Sequence, residues 1–129
     1  MILYILQNAY KSEKHQFKNE DEWSRELENS HTGRRLKEMI PDGEEYKVIN
    51  SSGLIGDCAN SCYDADLEYM QFLIEKINPN IICACGKVSQ RGCEELGIEF
   101  IPAPHPAWRR LSKAHSSSIK EKIINNIKG

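Results

Sequence analysis

Residues 99–110 read EFIPAPHPAWRR: an apolar run, a histidine held between two prolines, then a tryptophan and two arginines. Pro104 and Pro106 fix their own φ angles and press Ala103 and His105 towards extended geometry, so a stiff loop aims the His105 imidazole. An imidazole held this way has three uses. It can donate a hydrogen bond to an oxygen gaining negative charge, act as a general acid or base, or sit in the loop as a satisfied polar residue. His15, His31 and His115 have no comparable setting. Beside His105, Trp108 offers an aromatic face or wedge, and Arg109 and Arg110 offer phosphate partners. A solvated basic loop accounts for the same three residues.

Three further stretches place polar or glycine-bearing residues straight after an apolar run: Gln7-Asn8-Ala9-Tyr10, Asn50-Ser51-Ser52 and Gly86-Lys87-Val88-Ser89. The carboxamides of Gln7, Asn8 and Asn50 each present a donor and an acceptor in one plane, as reading the polar edge of a nucleobase requires. Each is also an ordinary turn former. Tyr10 suits a wall against a base or a place in the core. Gly86 permits close backbone approach, and the first-turn N–H groups after it favour an anion such as a phosphate, with Lys87 and the Ser89 hydroxyl beside them. A plain strand-to-helix turn reads equally well.

The elements that must position these residues alternate. ILYIL (2–6) reads as a strand buried on both faces. SHTGRRLKEMI (30–40) opens with a capping residue, places Leu36, Met39 and Ile40 on one helical face and ends at Pro41. EYKVINSS (45–52) reads as a second strand, and GLIGDCANSC (53–62) as a loop. DADLEYMQFLIEKINP (64–79) is the clearest helix, with a stripe of Leu67, Met70, Leu73, Ile74 and Ile77. NIICAC (80–85) is a third strand, KVSQRGCEELG (87–97) a short helix, IEFIP (98–102) a fourth strand, and SSSIKEKIINNI (116–127) an amphipathic helix. Such alternation predicts an α/β three-layer sandwich: a four-stranded parallel sheet with helices on both faces. Ligands of such sheets bind beyond the carboxyl ends of the strands, where all the residues singled out above fall.

With 129 residues, 40% hydrophobic and 28% charged, the chain is expected to form a single domain over residues 1–129. A net charge of −2 does not make it a polycation built for nucleic acid. Charge is uneven, however: EKHQFKNEDEWSRELE (13–28) is acid-rich, whereas 105–128 holds six Lys/Arg against one Glu. No apolar stretch reaches membrane-spanning length, and MILYILQNAY lacks a basic n-region and a small-residue cleavage site, so a cytoplasmic protein is expected. The five cysteines, at 58, 62, 83, 85 and 93, match no standard zinc or iron–sulfur spacing. Cys83 and Cys85 lie in an apolar strand as small hydrophobes, and neither a disulfide, a metal nor a cofactor is expected.

At the four strand ends the chain resembles the uracil-DNA glycosylase superfamily, as a compact, divergent member. One branch of that family has Gly-Gln-Asp-Pro-Tyr-His after its first strand, where this chain has LQNAYK (6–11). Gln7 and Tyr10 match, and Asn8 replaces the water-activating aspartate, as in the mismatch-specific and single-strand-selective branches. The family's second strand ends in a base-reading asparagine, reproduced as Asn50. ACGKVSQRGCEELG (84–97) resembles its third strand and phosphate-contacting helix, HPAWRR (105–110) its His-Pro-Ser motif and DNA-entering loop, and SHTGRRL (30–36) its Ser-Gly-x-x-Leu helix start. The first glycine and the proline of the first motif are missing, and Ala107 replaces the serine after His-Pro.

The resemblance implies a uracil-DNA glycosylase-like fold and a DNA repair enzyme that flips a uracil-type or modified pyrimidine out of DNA and hydrolyses its N-glycosidic bond. It implies Asn8 and His105 as catalytic residues and Gln7, Tyr10, Phe17 and Asn50 as substrate-binding residues. DNA contacts would come from Ser30, Gly33, Arg34, Gly86, Lys87, Ser89, Trp108, Arg109 and Arg110. Asn50 would read the base, Tyr10 would press near C5, Phe17 would stack on the ring, and His105 would hydrogen-bond the base oxygen. Asn8 would position the attacking water, but an amide takes no proton from it, which favours slow turnover or a base that leaves more easily. The alternative is a nucleobase-, nucleotide- or DNA-binding protein of the same fold with weak or no catalysis.

Overall fold

The structure, a computed structural model, describes residues 1–7, 9–10, 27, 30–56, 63–107 and 110–128, of which 9, 10, 55 and 56 are described through the backbone. Four parallel strands form the main sheet: β1 (Ile2–Leu6), β3 (Tyr46–Asn50), β5 (Ile81–Cys85) and β6 (Ile101–Ala103), in the order β3-β1-β5-β6. Two short strands, β2 (Ala9–Tyr10) and β4 (Ile55–Gly56), pair with each other in a separate parallel sheet. The helices are α1 (His31–Lys37), α2 (Leu67–Ile77), α3 (Lys87–Leu96) and α4 (Lys113–Lys128).

β1 is central because it is apolar throughout: all five of its residues are buried, as a strand covered on both faces requires. It pairs Leu6 with Asn50 on one side and Ile5 with Ala84 on the other. Alternation along the strands then divides the core in two. Ile2, Tyr4, Leu6, Cys83, Cys85 and Ala103 pack against Leu36, Met39 and Ile40 of the α1 segment and Ile119 and Ile123 of α4. Leu3, Ile5, Ile49, Ile82 and Ala84 pack against Met70 of α2 and Cys93 of α3. The molecule is therefore a helix–sheet–helix sandwich, with α1 and α4 over one face and α2 and α3 over the other. Each fully buried aliphatic side chain contributes about 1.5–3 kcal/mol.

Local signals set the helix ends. Ser30 caps α1, its Oγ accepting from Gly33 N at 3.0 Å, and the helix stops at Lys37, short of the expected Ile40, as the chain turns into Pro41. Asp66 caps α2 by accepting from Tyr69 N, and Asn78 closes it in the left-handed conformation. α4 begins three residues before the expected start, because Ser112 Oγ accepts from His115 N. The 53–62 segment, expected to be a loop throughout, contains β4. Cys83, Cys85 and Cys93 are free and buried, as core residues, and burial pushes the Cys93 thiol up to about 11. Among the described residues, no helix is long and apolar enough to cross a membrane.

Candidate functional site at the carboxyl edge of the sheet

All four strands of the main sheet end on one edge, and the order reverses between β1 and β5. That is where an open α/β sheet leaves a crevice. The edge has two halves.

The first half lies beyond β1 and β3. Ser51 N donates to Leu6 O at 2.9 Å and Ser52 N to Gln7 O at 3.0 Å, so the pairing of β1 with β3 runs on briefly past both strands. When pairing resumes, Ala9 stands opposite Ile55, whereas Leu6 stood opposite Asn50. Two positions on one side, 7 and 8, therefore face four on the other, 51–54. The extra length is pinned as it bulges: Ser51 Oγ donates to Gln7 O at 3.1 Å, Leu54 N to Ser52 Oγ at 3.2 Å, and Asp66 N to Ser51 O at 2.8 Å. Gln7 Nε2 donates to Tyr63 O at 3.3 Å. Asn50 and Ser51 have no exposed surface, and Ser52 is 3% exposed. A base reaching Asn50 must first part what encloses it.

The second half lies beyond β5 and β6, and its hydrogen bonds converge on one carbonyl. Gly86 N donates to Ala103 O at 2.8 Å, and Gln90 Nε2 donates to the same oxygen at 3.0 Å and to Ala84 O at 3.3 Å. Gln90 thus ties the two strand ends together, a role no sequence motif signals. Two residues beyond Ala103, His105 is half-buried and Pro106 fully buried. Ala107 N donates to His105 Nδ1 at 3.0 Å. An Nδ1 that accepts carries no proton, so the neutral ring holds its proton on Nε2. Burial also holds the imidazole below its ordinary pKa, which favours that neutral form.

Gly86 stands against this ring. It adopts φ 93° and ψ 162°, a region open essentially to glycine alone, and a methyl group there would lie 3.5 Å from His105 Cβ and 3.8 Å from Cδ2. Gly86 starts α3 without a side-chain cap, so the first N–H groups of that helix are left to solvent or a ligand. Lys87 is exposed beside them. The Ser89 hydroxyl, expected to face a phosphate, instead donates to Cys85 O at 2.9 Å inside the first turn, and Ser89 is fully buried. A serine this close to an uncapped helix start bonds back to the preceding strand.

The expected site residues divide accordingly. Gln7 and Asn50 come together in one half, Gly86, Lys87 and His105 in the other. Ser30 and Gly33, expected to touch DNA, are occupied with the α1 start: Ser30 Oγ also donates to Leu27 O at 2.6 Å, and Gly33 is buried. Arg34 and Arg110 are exposed. Asn8, Phe17, Trp108 and Arg109 lie outside the described residues, as does the side chain of Tyr10. Compared with protein-family models, with curated proteins and with solved structures, the chain finds no match in any of the three.

Proposed function

We propose that the chain is a uracil-DNA glycosylase-like enzyme, acting on intracellular DNA, that excises a uracil-type or modified pyrimidine. The observation that carries this reading is the His105 imidazole: neutral, protonated on Nε2, and fixed on a proline-stiffened loop against the glycine that opens α3. The strand order β3-β1-β5-β6, with Gln7 just beyond β1 and Asn50 at the end of β3, supports it as well.

In this reading the C1′–N1 bond of a flipped nucleotide breaks with its electron pair going to the base, whose anionic charge gathers on a ring carbonyl oxygen. His105 Nε2–H donates a hydrogen bond to that oxygen, stabilising charge that exists only as the bond breaks. A neutral donor serves here because its proton stays on the ring. Water adds to C1′, and its proton passes to solvent or to the departing base. Asn50 hydrogen-bonds the base edge once the 51–54 bulge admits it, and the α3 start with Lys87 receives a neighbouring phosphate.

The test is a glycosylase assay on labelled oligonucleotides carrying uracil, mismatched uracil and 5-substituted pyrimidines, both single- and double-stranded. Alkali-sensitive sites made by the wild type and lost in His105→Ala are the expected result. No excision from any substrate, with enzyme in excess and long incubation, would leave a protein that binds a base or nucleotide without cleaving it.

A further inference from the structure

The two helical layers differ in charge. Over one face of the sheet, the outer layer carries Arg34 and Lys37 on α1, Arg110 and Lys113 ahead of and at the start of α4, and Lys120 and Lys122 along it, against Glu38 and Glu121. Over the other face, α2 and α3 carry Glu68, Glu75, Glu94 and Glu95 against Lys76, Lys87 and Arg91. Among the described residues of these helices, the α1/α4 layer is thus the more basic, the side a polyanion would favour.

That layer contains a groove of about 570 Å³, lined by His31, Arg35 and Glu38 of the α1 segment and by Ala107, Leu111 and Lys113. Its walls are held together, because the Arg35 guanidinium donates to Leu111 O across the two segments. One lining residue, Ala107, is the same residue whose N–H fixes the His105 ring. The residue that fixes the His105 ring is therefore also part of the groove's lining. Seven residues after Lys113, Lys120 returns to the same helical stripe about 10 Å further along α4. Apart from Ala107 and Leu111 the lining is polar or charged, which suits a phosphodiester backbone better than an apolar peptide.

We infer that a nucleic-acid strand leaves the site past Ala107 and runs along the α1/α4 groove, with Lys113 and Lys120 contacting its phosphates. This rests on the glycosylase reading for the identity of the strand. It adds where the polymer's backbone is gripped: on a helical layer, away from the strand ends.

The experiment measures binding of fluorescent single-stranded DNA, a 4-mer and a 20-mer, across a series of salt concentrations. The wild type is compared with a Lys113→Gln/Lys120→Gln variant, whose melting temperature reports that it is folded. Each phosphate contact on a single strand adds about 0.7 to the slope of log K against log salt. The slope for the 20-mer is expected to fall by about 1.4 in the variant, with the 4-mer slope and the excision of a base from the 4-mer unchanged. An unchanged 20-mer slope would overturn the route while leaving excision, if present, intact. A variant that instead alters self-association in sedimentation at low salt would also overturn it, by assigning the layer to a second copy of the chain. A fall in slope with no excision by either protein would keep the groove and remove the glycosylase reading.

Discussion

At the ends of β1 and β3 the polar residues are shut in. Asn50 is buried beside a bulge, and Ser51 and Ser52 are buried within it, where five hydrogen bonds from backbone and serine groups hold it in place. At the ends of β5 and β6 they face outward: Gly86 and His105 are half-buried, and Lys87 and Ala107 exposed. Both halves lie beyond parallel strands of the same sheet. The difference lies in what the chain does next, since one pair of strands separates around unequal lengths and the other is tied by Gln90, which donates to both Ala84 O and Ala103 O. On the proposed reading, the open half would act as it stands, whereas the closed half would have to rearrange before it could recognise a base.

That contrast predicts a division of kinetic effects. The largest is expected for His105→Ala: loss of a preorganised donor lowers kcat by about 100–1000-fold with little change in KM, whereas Asn50→Ala raises KM more than it lowers kcat. Steady-state kinetics on the best substrate of the panel decide it, and a KM effect at His105 would dissolve the comparison. Next comes Gly86→Ala, which forces alanine into a glycine-only conformation costing about 1–3 kcal/mol, so that relief of the strain shifts the backbone in contact with His105. Denaturant melts and kcat should both fall. Gly97→Ala serves as the control, because Gly97 also has positive φ but nothing lies within 4 Å of an added Cβ, so stability alone should drop.

A smaller effect concerns pH. Burial lowers the His105 pKa, so the unfolded chain takes up a proton near pH 6.5 that the folded chain still refuses. Stability contributed by the neutral ring is full above that pH and declines as pH falls below it. Melting temperatures of wild type and His105→Gln should therefore converge on acidification. Excision should hold through pH 6.5 and fail only where the ring in the folded protein gains its second proton and Nδ1 can no longer accept from Ala107. The smallest effect lies away from both halves. Ser116 Oγ is buried with no hydrogen-bond partner among the described residues, so Ser116→Ala should raise stability by up to about 1 kcal/mol and leave kinetics untouched.

Apolar runs and caps made the main sheet legible in the sequence. ILYIL and NIICAC are too uniformly apolar for an exposed strand, and Asp66, Asn78 and Pro79 bracket α2 on chemical grounds. Strand order was not legible, because period and propensity say nothing about which neighbour a strand takes. Two-residue strands such as β2 and β4 carry no periodicity at all, and so 53–62 looked like a loop. At the site, Pro104 and Pro106 singled out His105, and Gly86 announced a tight turn. The direction of a hydroxyl or an amide was beyond reach: Ser89 turns inward, Ser30 caps a helix, and Gln90, unremarkable in the sequence, bridges two strands.

The mismatch of two positions against four between the paired segments has a consequence for how such a chain can change. The main sheet ends at Leu6 and Asn50, and the small sheet restarts at Ala9 and Ile55, so residues 51–54 act as a spacer between the two ladders. Removing two of them would bring both ladders into one register, with loss of hydrogen bonds that Ser51 and Ser52 make to the end of β1. Adding residues would enlarge the bulge. Insertions and deletions at that one joint would thus reshape the end of β1 and β3 while leaving the Gly86–His105 contact on the other side in place.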